Sequence, residues 1–218
     1  MILVVADSAA IEARGVAWLA GQEDLLEDFR RNVDLYSKFA GRVYGRPVNR
    51  KLTLADGTKP DLEPGYVGKT SILGLGYGLG WGKFADALLK GPMGAPPIQF
   101  SHAVAAQLGV DLPAVLADLE WVDVFTRDDP QVVFTSAFFQ DKRRRGAFNK
   151  FKTRLSRADL AVHCAASLVV VQTYRRAYPG IVGLWKTMDQ LIQCMLDGTE
   201  AAFGPGGILR TRHNAVML

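Results

Sequence analysis

Apolar residues recur three and four positions apart along much of the chain, and this spacing predicts helices. Ile11, Gly15, Trp18 and Leu19 fall at helical spacing, with Glu12 on a neighbouring face. Leu25, Leu26 and Phe29 form one stripe of a second helix, with acids early and arginines late, as the helix dipole favours. Leu35, Phe39 and Val43 predict a third helix, stopped by Gly45 and Pro47. Before these, "ILVVA" at 2–6 reads as a short buried strand ending at Asp7. A loop of Asp, Gly and Pro runs to about residue 65, and Gly68 to Lys90 then reads as a helix loaded with glycines. Glycines at 74, 76, 78, 80 and 82 would cost such a helix about 1 kcal/mol each relative to Ala. Only close packing would justify that. Residues 92–140 read as irregular, punctuated by Pro92, Pro96, Pro97, Pro113 and Pro130, with "QVVFTSAFF" as a strand. Residues 158–197 predict two long helices broken at "YPG". The tail "FGPGGILRTRHNAVML" is Gly-rich, then basic, then apolar, and reads as if cut in mid-element.

Composition narrows the classes. The 218 residues are 49% hydrophobic and 22% charged, which supports a folded core rather than disorder. A net charge of +4 permits an anionic partner without demanding one. Cys164 and Cys194 form no CxxC motif, so a disulfide framework is not expected and a reducing interior suits them. His102, His163 and His213 have no metal-ligand spacing and read as ordinary core or surface residues. "MILVVA" lacks the features of a signal peptide, and "LAVHCAASLVVV" is too short to span a bilayer. The expectation is a soluble, cytoplasmic chain with no membrane partner.

Three stretches are candidates for chemistry. "GYVGKTSILGLGYGLGWGKF" contains Gly68-Lys69-Thr70, yet a phosphate-cradling P-loop needs a glycine at the position of Glu63. A dinucleotide fingerprint needs glycines at offsets 0, 2 and 5, which glycines at even separations cannot supply. Lys69, Leu73 and Tyr77 follow at i, i+4 and i+8, hence on one face of a continuous helix, where Lys suits phosphates and Tyr a base. Asp7 ends a strand, a rigid place to present a metal-binding carboxylate, with the Ser8 carbonyl beside it. An Asp there also serves as a turn or cap. The segment 142–157 carries eight Lys or Arg, among them Arg143, Arg144, Arg145, Lys150 and Lys152, with Phe148 and Phe151 between them. It fits either a strand-tracking nucleic-acid groove or a solvated helix face.

In order along the chain, these pieces resemble the family A (polymerase I-like) DNA polymerases, especially phage forms. "ADSAAIEARGVAWLAGQEDLLEDF" resembles motif A, with Asp7, Ile11, Glu12 and Arg14 at its spacing. "VGKTSILGLGYG" resembles motif B, with Lys69 as the triphosphate-binding lysine and Tyr77 beside the templating base. "DLYSKFAGRVYG" and "TYRRAYPGIVGLWK" are similar to further segments of the fingers. The agreement covers residues 1–90 and about 160–200.

The resemblance implies an α+β, predominantly helical fold made of part of the palm plus the fingers. Residues 1–8 would hold the palm strand and 9–104 the fingers helices. Residues 105–157 would be an insertion with the basic segment, and 158–218 further fingers helices and a truncated return to the palm. It implies nucleotidyl transfer to a primer 3′-hydroxyl by two Mg²⁺ ions, with primer–template DNA and deoxynucleoside triphosphates as partners. Asp7 and Ser8 would be metal ligands, Lys69 would meet the triphosphate, and Glu12 would disfavour a ribose 2′-hydroxyl. Leu73, where the family commonly has Phe, would line the nucleotide site with Tyr77. The small glycine surface would let base and template approach closely. Several positions depart from the pattern: Gly65 replaces the usual Arg, Ser8, Ala9 and Ala10 replace a Tyr/Ser-Ser-Gln run, and no His-Asp-Glu motif C occurs. One carboxylate cannot hold two Mg²⁺ ions tightly. The expectation is therefore an inactive fragment, or one that works with a second chain supplying motif C. The other readings are a non-catalytic nucleic-acid-binding remnant using 142–157 and, third, a P-loop-type NTPase.

Overall fold

The computed structural model describes residues 10–122, 133–212 and 215–217. It is predominantly helical with one small antiparallel sheet, an α+β chain. Two compact units interleave along the sequence: residues 1–35, 76–78 and 175–218 form one, and 36–75 and 79–174 the other. Among the described residues no helix is long and apolar enough to cross a membrane. The predicted strand at 2–6 lies outside the described residues.

The first unit holds α1 (Ile11–Leu19), α2 (Glu23–Arg30) and α10 (Pro179–Leu196), with β1 (Ala201–Phe203), β2 (Leu209–Arg212) and β3 (Ala215–Met217). Ala13 and Ala17, one turn apart, form the buried edge of α1, which packs against α2 and α10. Leu25 and Phe29 bury the inner stripe of α2, and the Arg14 guanidinium lies 4.4 Å from the Phe29 ring centre. Gly180 is a glycine because a Cβ there would meet the Gln22 Oε1 at 2.8 Å and the Ala20 carbonyl at 3.0 Å. Its N–H donates to that same Gln22 oxygen. The tail pairs as a meander, with Ala201 opposite Thr211 and Arg210 opposite Met217. Leu209 and Thr211 point inward and Arg210 and Arg212 outward, the period-2 pattern of a one-sided sheet.

The second unit is built around α9 (Arg157–Ala177). Residues 160–167 of this helix are all buried, so it is wrapped on every side. The same unit holds α3 (Leu35–Tyr44), α4 (Leu62–Thr70), α5 (Trp81–Lys90), α6 (His102–Gln107), α7 (Leu112–Val122) and α8 (Lys142–Asn149). Leu35, Phe39 and Val43 are buried as their spacing predicts, and Phe39 meets Tyr174 edge-on at 5.7 Å. The described residues between 92 and 122 are more ordered than the prolines indicate. Pro113 occupies the second position of α7, where the backbone N–H has no intrahelical partner to lose. "QVVFTSAFF" is not a strand over its described residues 133–139. Instead the buried Asp118 carboxylate accepts the N–H and hydroxyl groups of both Thr135 and Ser136, between 2.5 and 3.0 Å. That anchor turns Phe138 and Phe139 inward, where they join Phe148, Leu160 and Cys164. The described residues of the segment 105–157 thus supply much of this core.

His163 lies at the centre of α9 with no solvent exposure. Its Nδ1 accepts the Phe100 N–H at 3.1 Å, which places the proton on Nε2, 3.1 Å from the Ala85 carbonyl. Burial pushes its pKa down, so the ring stays neutral and ties two neighbouring segments to the helix. His163→Ala leaves a buried donor and a buried acceptor, each costing about 1–3 kcal/mol. We expect denaturant unfolding at pH 7 to show a loss of about 3 kcal/mol. Because the unfolded ring binds a proton more readily than the folded one, wild-type stability should fall as pH drops below about 6.5. Identical pH profiles for wild type and His163→Ala would contradict this.

Candidate nucleotide and nucleic-acid surfaces

The Lys69 stretch departs from one long glycine-rich helix. The Thr70 hydroxyl donates to the Tyr66 carbonyl and the Ser71 hydroxyl to the Val67 carbonyl, both at 2.8 Å. Such side-chain bonds compete with the helical ladder, and the chain widens into a π-turn over Ser71–Leu75. Gly74 falls in this turn, Gly78 has φ +76° beyond it, Gly80 caps α5 and Gly82 lies in its first turn. Most of the alternating glycines therefore escape the helix-interior penalty. Two earlier glycines are spent on the protein's own packing. A Cβ on Gly68 would lie 2.1 Å from the Tyr36 carbonyl oxygen, and one on Gly65 would lie 2.4 Å from the Arg50 Cβ.

Lys69 occupies the last turn of α4, half-buried, with no hydrogen bond or ion pair to another described residue. Lys69 and Thr70 end a helix rather than begin one, and the Thr70 hydroxyl is already engaged. The free N–H groups that cradle phosphate at a P-loop are missing from this geometry. Leu73 is half-buried within the π-turn. Tyr77 stands beyond it in a turn, so the i, i+4, i+8 argument does not extend to this ring.

What positions Tyr77 is a residue the sequence reading passed over. The Trp185 indole N–H donates to the Gly76 carbonyl at 3.0 Å. The indole also lies 3.7 Å from where a Gly78 Cβ would be, and Arg175 lies over it at 5.7 Å. Both neighbours of Tyr77 are thereby held, and its ring is 64% exposed. No local signal marks this contact, because 109 residues separate the partners.

The basic segment divides by role. Asp141 caps α8 by accepting the N–H groups of Arg143 and Arg144, which hold its carboxyl below the usual range. Arg144 donates to the Ala137 carbonyl at 2.8 Å and Arg145 to the Phe139 carbonyl at 2.6 Å. Arg145 also covers the Phe134 ring at 4.3 Å, and Arg157 covers Phe148 at the same distance. The interleaved aromatics face inward: Phe148 is fully buried and Phe151 stacks on Trp81 at 6.3 Å. They are core rings rather than a stacking platform for bases. Arg143, Lys150, Lys152 and Arg154 remain exposed.

Glu12 is exposed on α1, while Asp7 and Ser8 lie outside the described residues. The described residues contain no group of three or more His, Cys, Asp or Glu able to hold a metal ion. His163 is structural, His102 lies 3.5 Å from Asp159 near the surface, and His213 is outside the described residues. No protein-family model matches the chain, and no curated protein or solved structure matches it.

The Trp185 clamp can be tested without any activity. A net hydrogen bond of about 1 kcal/mol predicts roughly five- to tenfold faster amide exchange at residues 76–78 in Trp185→Ala. Trp185→Phe keeps the ring over Gly78 and should fall between. Unchanged exchange in Trp185→Ala would dismiss the clamp.

Proposed function

We propose that the chain is a palm-and-fingers portion of a polymerase I-like DNA polymerase of phage type. It would act in the cytoplasm of a bacterial host on primer–template DNA and deoxynucleoside triphosphates. The observation that carries this reading is Lys69, at the motif B lysine position, which packing leaves available. Lys69 has no partner among the described residues, and Tyr77 is exposed on a turn held by Trp185. In this reading Lys69 meets the triphosphate as a point charge, Leu73 lines the nucleotide and Tyr77 lies beside the templating base. Glu12, exposed on α1, disfavours a ribose. Mg²⁺ belongs to this chemistry, with Asp7 and Ser8 as its ligands and a second chain as the source of motif C. The described residues assemble no ligand set for it, so the roles argued here are those of the chain's own side chains.

A second reading, a nucleic-acid-binding chain without catalysis, is favoured by the exposed Arg143, Lys150 and Lys152. Lys69 separates the polymerase from both this reading and a nucleotide hydrolase. Lys69→Ala should weaken deoxynucleotide retention on a protein–primer–template complex, completed by a motif C chain, by about 1.5–3 kcal/mol, the value of a charged hydrogen bond. The change should leave primer–template affinity nearly intact, and the free protein should not hydrolyse ATP. Filter binding with labelled nucleotide and a phosphate-release assay provide the readouts. Equal nucleotide retention by both proteins would favour the binding-only reading. ATP turnover without DNA that disappears in Lys69→Ala would make the chain a hydrolase.

A further inference from the structure

We infer that the outer face of α10 is a self-association surface, on which a second copy of this chain seats its own α10 antiparallel about a twofold axis at Ile192. One side of the helix is engaged inside its unit: Ile181 and Leu191 are buried, and the helix packs against α1 and the three strands. Beside that side, Met188, Ile192 and Leu196 follow at i, i+4 and i+8, hence on one face. They are 36%, 53% and 72% exposed. Apolar residues scattered singly over a surface are ordinary, but three in one row form a continuous patch of the kind that marks an interface.

Charge selects the occupant. Lys186, Asp189 and the capping Asp197 are the charged residues of this helix, and all three are exposed. Lys186 has no hydrogen bond or ion pair to another described residue. The last turn of α10 holds no basic residue and is followed directly by Asp197, which accepts the Gln193 side-chain amide at 2.9 Å. The partial negative charge of the last carbonyls and the Asp197 carboxylate therefore stand together, with no cation of their own helix beside them.

A second α10 supplies that cation. Lys186 and Asp197 are eleven residues apart, about three turns, so they lie on the same flank of the apolar row. In an antiparallel pair centred on Ile192, Met188 faces Leu196 of the copy and Ile192 faces Ile192. Lys186 then comes beside Asp197 and the last carbonyls of the copy's helix, and the twofold axis makes the same contact again at the other end. A parallel pair would instead set Lys186 against Lys186 and Asp197 against Asp197, and like charges brought together disfavour it. The face is thus its own complement in one orientation. So few residues make a small interface, which corresponds to a weak, micromolar dimer. The surface uses neither Lys69 nor the exposed cations of 142–157, and the inference is independent of what the chain does with nucleotides.

Sedimentation velocity of the full chain from about 1 to 200 µM provides the test, with a concentration-dependent monomer–dimer equilibrium expected. Ile192→Glu places two carboxylates against each other on the axis and should leave monomer at every concentration, with the thermal melt of dilute wild type. Lys186→Glu or Asp197→Lys alone turns two attractive contacts repulsive and should weaken the dimer about tenfold. The double variant Lys186→Glu/Asp197→Lys restores opposite charges and should return to within about threefold of wild type. The charge variants, at exposed positions, read the same contact even if Ile192→Glu fails to fold. A wild type that stays monomeric throughout would overturn the inference. Dimers that persist in folded Ile192→Glu would place the contact elsewhere and also overturn it. A double variant as weak as the single ones would overturn the antiparallel pairing.

Discussion

The second unit depends on burying one helix completely. Eight consecutive residues of α9, 160–167, have no face toward water, so every neighbour must bring a complementary surface. Complete burial also forces a polar account to be closed. An imidazole in that stretch has lost all hydration, and only the Phe100 amide and Ala85 carbonyl replace it. Those two backbone groups come from the loop before α6 and from the middle of α5. One side chain therefore sets the distance of both segments from the helix, and the hydrophobic contacts around it follow from that spacing.

How much of this could be read from the chain depended on the range of the interactions. The stripes of α2 and α3 and the break before Pro179 are local, and the structure places them where the periodicity predicts. Proline misled the reading of residues 92–140, because Pro113 starts a helix as readily as it ends one. "QVVFTSAFF" has strand-like composition, yet Asp118, at least 17 residues away, takes its hydrogen bonds and bends it into a turn. No local propensity reports a partner at that distance. The candidate residues show the same division. Lys69 and Tyr77 are candidates by motif spacing alone, whereas the indole that holds the Tyr77 turn comes from a helix 109 residues beyond Gly76.

The arginines of the basic stretch divide by task, and Arg143 and Arg154 stay exposed. Arg144, Arg145 and Arg157 use planar guanidinium groups to bridge carbonyls and cover aromatic rings. The lysines, with a strongly hydrated point charge, stay in solvent. Charge density in sequence therefore overstates the charge available to a partner. It counts cations that serve as the outer lining of the core together with those that face water.

The buried stretch of α9 also contains Cys164, beside Ala161 and Ala165 in the aromatic core. Burial pushes its thiol far above the usual range, so almost no thiolate forms while the helix is enclosed. Cys194, half-buried on α10 in the other unit, is not enclosed in this way. The two cysteines therefore form a natural pair of clocks. The slow one is set by the opening of a core and the fast one by access at a surface, so alkylation records, in one chain, how often the second unit comes apart.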